Sequence, residues 1–576
     1  MEPDKYEEHE GLSFKDLFVP FTNVKAIVYL AIVGFAVFFN SFFNGFALDD
    51  FPQIVDNPVV HSMNIPAFFQ GSTFYMGPGV KLEGAYYRPF VSIFVSFIYS
   101  IFGSSAGAFH FFQVLLFITN ACLLFLFLKH FFKSSIAFVL ALLFLIHPIN
   151  SENAFYIANM QDVLFFFFGI IALLLLKNVK SQVELLSVSL CLLASIFSKE
   201  TGILFFAISL VYTYIYKRIY ILPLFACMLI SFFVYFPLRA AAIGEVAQNA
   251  PIQLLDLPQR LLNTPDIFLY YIKTFFFPLQ LSQSYLWVHT TVTVNNFFLP
   301  LLSVLLFASL LVLLGTLIRR KSHSQFQLHC FFAIWFFIGI LAHSQIVPLD
   351  QTVAEHWFYF PIIGLMGILG VLAHTWHLRV NNKYVVAILL IICILLSVRT
   401  FSRSYDWRNE YALASRDIQV SPDSHSLHYS LSHYYSTQGK HKEAIIHAQK
   451  SIDLFPTIIN YTYLGNAYFY TKDLGRAEEA YLQALKLGDN YYAYVNLATV
   501  YINTDPLEAL SFVPKAVEKY PLDATLWYKL AVLEYTYGDR NKAKAAIERA
   551  YMYNKSTEFS TAYNFIMNDT PLNVQQ

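Results

Sequence analysis

The chain has 576 residues, of which 57% are hydrophobic, 18% aromatic and only 13% charged, where a soluble domain carries roughly 25% charged residues. Lysine plus arginine and aspartate plus glutamate balance at 38 each, so bulk charge gives no footing to nucleic acid or to a strongly charged partner. An ordinary soluble protein is excluded. Apolar runs approaching the roughly 20 residues that cross a bilayer recur from about residue 24 to residue 398, whereas residues 404–576 are ordinary in charge and hydropathy.

The N-terminal stretch "MEPDKYEEHEGLSFKDLF" is charged and lacks a cleavable signal pattern, so the first apolar run is expected to stay as an anchor behind a cytoplasmic segment, residues 1–23. Candidate spans follow at 24–43, 107–128, 135–148, 162–176, 183–198, 201–216, 219–236, 297–318, 327–346, 354–374 and 383–398. Two shorter apolar stretches, 89–102 and 266–280, read either as spans or as helices lying in the interface. Cys122, Cys191, Cys227, Cys330 and Cys393 lie in or at the edge of apolar runs, without metal-type spacing or a disulfide framework.

Short cytoplasmic loops collect Lys and Arg. If the two short stretches do not cross, Lys129 and Lys133, Lys177 and Lys180, Lys217 and Arg218, Arg319-Arg320-Lys321, and Arg379 with Lys383 share one side with the N-terminus. The opposite, extracytoplasmic side then receives the first external loop 44–106, the segment "HPINSENAFYIANMQD", the loop 237–296, the segment "HSQIVPLDQTVAEH" and everything after residue 398.

Residues 404–576 repeat. Ser432, Gly465, Ala498 and Ala531 are small residues 33 apart, and Ala444, Ala477 and Ala543 follow 12 after the first, second and fourth; Ala509 comes one residue early after "NTDP". Small residues at these two positions let paired helices approach closely, while aromatic and Leu positions fill the seams between pairs. The pattern resembles about four tetratricopeptide repeats. The expected architecture is all-α: a polytopic bundle of about 11–13 transmembrane helices over 24–403, then a helical solenoid.

The chemistry concentrates on the predicted outer face. "FALDDFPQIVDNP" places Asp49 and Asp50 a few residues beyond the first span, and "YYRPF", "HPINSENAFYI", Asp162, "SKETGI" and "VAEHWFYFP" fall on the same side. Charged groups at the edges of spans cost roughly 2.5–3.5 kcal/mol each on insertion scales. Taken alone, "LDDFPQIVDNP" also reads as a helix cap and turn at the membrane exit. Taken in order with the other motifs and the repeats, it resembles the GT-C superfamily of polytopic glycosyltransferases, in particular the transmembrane O-mannosyltransferase-like branch with C-terminal tetratricopeptide repeats and its bacterial relatives.

The resemblance implies an inverting enzyme that moves a sugar from a polyprenyl phosphate to a Ser or Thr hydroxyl of a protein held by the repeats. A hydroxyl is a poor nucleophile until a base takes its proton, and a first-loop carboxylate is implied as that base: Asp49 or Asp50, with Asp50 preferred. Arg88 and then Lys199 are the expected phosphate ligands, since a guanidinium pairs with phosphate in a fixed fork. Glu152, Glu355 and His356 are the expected sugar-binding or donor-positioning groups. Glu200 reads as an ion-pair partner of Lys199. A divalent cation is possible without any dependable ligand spacing. Met160, Ser284 and His356 depart from the family pattern, which commonly has Arg, Asp and Arg there, and this permits a changed donor, a changed acceptor or lost activity. The expected location is a bacterial inner membrane with periplasmic repeats, or alternatively the endoplasmic reticulum membrane. The competing readings are a non-catalytic envelope scaffold, an enzyme acting on a glycolipid or envelope polymer, and a transporter, although the last should show two related halves that the sequence lacks.

Overall fold

The structure is a computed structural model that describes residues 22–75, 82, 86–244, 250–378 and 382–569. The N-terminal segment up to residue 21, expected from the sequence to be cytoplasmic, and Arg379 lie outside these. Among the described residues there is no strand, only a single bridge between Tyr285 and Val353, and the architecture is all-α.

Among the described residues eight helices are long and apolar enough to cross a membrane: Asn23–Phe43, Ala106–Leu128, Ile157–Asn178, Arg218–Ala242, Val294–Lys321, His323–Leu341, Glu355–Thr375 and Lys383–Asp406. A ninth arises if Ser134–Ile146 and Pro148–Phe155, which meet at a bend of 55°, form one span. The remaining predicted spans are apolar helices too short for that test, Glu184–Ser198 and the run Glu200–Tyr216. Of the two short stretches, one is the separate helix Pro89–Phe102. The other is the second half of Leu257–Phe276, whose polar first turns are capped by Asp256.

Burial sorts these helices. Only 6% of the Lys383–Asp406 window and 11% of the Val294–Lys321 window is covered by protein, against 78% for Glu355–Thr375. A helix that is apolar all round yet uncovered needs lipid as its partner, so the first two form the rim and the third the centre. Around that centre Tyr359 gathers the rings of Phe144 and Phe166, with centroids 5.1 and 4.9 Å away, and its hydroxyl accepts from Asn120 Nδ2 at 3.1 Å. Gly364 and Gly367 let that helix lie directly against Phe332 and Phe336, where an added Cβ would come within 2.5 and 2.0 Å of atoms already present.

Two ends of the bundle are distinguishable by their ties. At one, Lys129 Nζ meets Asn23 Oδ1 and Lys217 Nζ meets the Val179 carbonyl. At the other, Thr400 donates to the Ile146 carbonyl and Asn40 to Ser404. The basic loops Lys129, Lys177–Lys180 and Lys217–Arg218 thus gather at the end away from the acidic motifs.

After Asp406 the short helix Glu410–Asp417 leads into four helix pairs: His425–Thr437 with His441–Leu454, Ile458–Tyr470 with Leu474–Leu487, Tyr491–Thr504 with Pro506–Lys519, and Ala524–Tyr537 with Arg540–Tyr553. Thr557–Met567 closes the stack. The eight small residues of the repeat pattern, Ala509 included, are all buried. Ala509 is one residue early because Asp505 directly follows Thr504 and caps the next helix, accepting from the Leu507 and Glu508 amides. The turn is shorter and the packing position is kept.

Candidate functional site

The bend after Ser134–Ile146 brings the "HPINSEN" segment under the first loop, and the acidic motifs meet there. Asp50 is a tie between segments: its Oδ2 accepts from the Ala47 amide at 2.9 Å and its Oδ1 from the Ala158 amide at 2.8 Å. It is 1% exposed, and burial pushes its carboxyl up to about 8 against the two amide donors. Asp49 points elsewhere. Its amide donates to the Tyr156 hydroxyl at 3.0 Å, and it is exposed, but to a recess and not to bulk water. Surrounding protein raises its carboxyl, the Tyr156 hydroxyl lowers it, Asp350 raises it, and Arg88 and His356 lie within electrostatic reach and lower it.

The two carboxylates that the sequence could not separate thus differ: both oxygens of Asp50 are committed to backbone amides in a closed environment, whereas the Asp49 side chain is exposed.

Arg88 is the N-cap residue of the helix Pro89–Phe102, but its side chain makes no capping hydrogen bond. Its Nε and Nη2 donate to Glu200 Oε2 at 3.1 and 3.0 Å, its Nη1 donates to Gln161 Oε1, and its guanidinium lies 4.1 Å from the centre of the Tyr86 ring. The Tyr86 hydroxyl donates to Asp350 Oδ2, and burial and that carboxylate push it well above the usual phenol range. Lys199 does not pair with Glu200 as its neighbour in sequence; it donates to both oxygens of Asp162 at 2.8 and 2.6 Å. The reason is local geometry. Lys199 has extended backbone, whereas Glu200 opens a 3-10 turn, so the adjacent side chains diverge. Both expected phosphate cations are buried and matched by a carboxylate.

Glu152 and Glu355 also separate. Glu152 Oε1 lies 2.9 Å from His356 Nδ1, and its Oε2 accepts the His356 amide at 3.2 Å, which orients the imidazole. Glu355 accepts from the Ser282 amide at 2.6 Å and the Tyr285 hydroxyl at 3.3 Å, bracing the 282–285 loop. His147 is structural, bonded to the Phe275 carbonyl at 3.0 Å and the Ile149 amide at 3.3 Å. Met160 is fully buried beside Ile54 and Val60, and Ser284 Oγ bonds Ser426 at 2.7 Å and Ser424 at 2.8 Å. Among the described residues no three His, Cys, Asp or Glu side chains converge as metal ligands.

Sequence reasoning missed Tyr86, Tyr156, Gln161 and Asp350. Asp350 carried a signal, being the only acid between His343 and Glu355; the tyrosines were indistinguishable from core aromatics. The repeats also come closer than expected. Tyr429, on the first repeat helix, lies within electrostatic reach of Asp49, and Tyr75 of the first loop stands in the same relation to Tyr492 and Asp523. Arg403, at the end of the last span, donates to both oxygens of Asp417, and Asp417 accepts the Gln283 amide at 2.7 Å, so the repeats are tied back onto the outer loops.

A family model described as tetratricopeptide repeat matches residues 425–458 and 460–488. The Caenorhabditis elegans protein O-mannosyl-transferase F38B6.6 is 26% identical over 435 residues, covering 72% of this chain and 60% of that protein. The human protein O-mannosyl-transferase TMTC3 is 23% identical over 622 residues, covering 90% and 67%. The chain thus spans about two thirds of the length of these relatives. A solved tetratricopeptide-repeat protein, YrrB, aligns at 16% identity over 28% of this chain and 85% of its own, with a TM-score of 0.25, too low to add to the repeat assignment. The chain is a homologue of proteins named protein O-mannosyl-transferase, a multi-pass helical membrane protein that ends in tetratricopeptide repeats.

Proposed function

We propose that this chain is a membrane glycosyltransferase that moves a sugar, a mannose by the names of its relatives, from a polyprenyl phosphate to a protein hydroxyl on the extracytoplasmic side. The observation that carries the reading is Asp49: a reachable carboxylate with a raised proton affinity, at the floor of a recess that also holds the Glu152-oriented His356 and the Arg88 and Tyr86 pair. In an inverting step the acceptor oxygen bonds the anomeric carbon as the bond from that carbon to the phosphate oxygen breaks. The hydroxyl proton passes to Asp49, and the electron pair leaves on the lipid phosphate. A base of raised pKa suits this role near neutral pH.

Arg88 and His356 are the groups on the recess side that would meet the donor, with Glu152 orienting His356. Lys199 and Glu355 serve from behind, through Asp162 and the 282–285 loop. Tyr429 and Tyr463, whose ring centroids are 5.9 Å apart on successive repeats, would flank the acceptor as it approaches Asp49. The reading divides the chain into a membrane enzyme, residues 24–403, and an acceptor-holding domain, residues 404–576.

A non-catalytic scaffold is favoured by one observation, the neutralisation of Arg88 by Glu200 and of Lys199 by Asp162. The test is direct: the full chain in lipid nanodiscs, given mannosyl polyprenyl phosphate and a Ser/Thr-rich peptide. Transfer of label to the peptide supports the enzyme; binding of neither donor nor peptide supports the scaffold.

A further inference from the structure

A cavity of about 470 Å³ lies apart from the Asp49 recess, between residues 270–287, which are the end of the helix Leu257–Phe276 and the loop after it, and the segment Val420–Ser424 that leads into the first repeat. Its volume falls in the usual range of small-ligand clefts, about 300–1,000 Å³. Four aromatic residues line it, Tyr270, Phe277, Tyr285 and Trp287; Tyr270 and Tyr285 pack edge to face with centroids 5.1 Å apart.

Its polar groups are of mixed kind. The Lys273 ammonium, the Gln280 amide and the Asp423 carboxylate line the cavity, and all three residues are exposed. Ser421 is 9% exposed, and its hydroxyl oxygen is itself covered and has no hydrogen-bond partner. Ser424 closes the far wall and is satisfied by Ser284, one of the positions at which the sequence departs from its expected pattern. Phe277 and Leu279, each 69% exposed, stand at the mouth.

The chemistry narrows the occupant. One cation and one anion cancel, which disfavours a phosphate or an ammonium ligand. Flat aromatic walls combined with an amide, a carboxylate and an ammonium suit a neutral ring that has apolar faces and a rim of hydroxyls. We propose that this cavity is a saccharide-binding subsite, separate from the transfer centre, that holds one or two hexose units. Only its use rests on the proposed function: it would retain a sugar already attached to an acceptor beside the repeats that carry that acceptor.

The test is saturation-transfer NMR on the full chain in nanodiscs, with methyl α-mannoside and an α-linked mannose disaccharide as probes. Contact with both probes, weakened at least tenfold in Trp287→Ala and in Asp423→Ala but kept in Asp49→Asn, supports the subsite. No contact in the wild-type chain, or undiminished binding in either cavity variant, overturns it. Because the readout is binding, loss of the subsite and loss of transferase activity are seen separately.

Discussion

The membrane bundle and the repeats use charge in opposite ways. In the bundle the pairs Lys199–Asp162 and Glu152–His356 are largely enclosed, and Arg88 is buried against a Glu200 that is 30% exposed. In the repeats Lys519–Asp489 and Lys544–Asp569 lie open to water. An exposed pair adds at most about 1 kcal/mol and is dispensable, whereas an enclosed pair costs desolvation that its own attraction does not reliably recover. Charges placed at that cost on one end of a bundle need a further reason, and the proposed reaction centre would supply it. The repeats, by contrast, draw their order from small residues and caps.

That contrast predicts a graded series. Asp162→Ala strands the Lys199 ammonium in a closed environment and should cost about 3–5 kcal/mol, read as a large fall in the thermal unfolding temperature of the detergent-solubilised protein. Gly465→Ala should cost about 1–3 kcal/mol by overpacking, because the new Cβ would lie 2.5 Å from the Tyr481 ring; the same assay reports it, and a smaller partner ring position, Tyr481→Leu, should relieve it. Asp539→Ala removes the acceptor for the Asn541 and Lys542 amides and should cost about 1 kcal/mol. Lys519→Ala should change stability by about 0.2–1 kcal/mol at low salt and less at high salt.

A pH dependence sharpens the same comparison. The folded-state pKa of Asp50, about 8, lies above the unfolded Asp value near 3.9. Between these values the native state holds the extra proton, so this group's contribution to stability is full below about pH 4 and is lost as pH rises toward 8. Unfolding followed across that window should show this slope in the wild-type chain and lose it in Asp50→Asn.

The sequence made the two halves legible for different reasons. The repeats were readable because spacing alone sets them: residues 33 apart meet the same neighbours, and even the early Ala509 found its place through a shorter turn. The membrane helices were readable from apolar length, down to the two short stretches. Partnership at the site was not readable. Arg88 meets Glu200 across 112 positions and His356 meets Glu152 across 204, while the adjacent Lys199 and Glu200 diverge. Nor does sequence separate Asp49 from Asp50, since one peptide unit decides which carboxylate faces the recess and which ties down Ala47 and Ala158.

The decisive measurement is turnover of the Asp49→Asn and Asp50→Asn chains, per folded molecule, with a lipid-linked mannose donor and a peptide acceptor. Asp49→Asn should fold normally and lose about 10²–10⁴-fold in rate, as removal of a general base does. Asp50→Asn should be less stable, having replaced an amide-binding oxygen with a donor, and should keep turnover within about tenfold. Full activity in Asp49→Asn, or a hundredfold loss confined to a well-folded Asp50→Asn, would contradict the account.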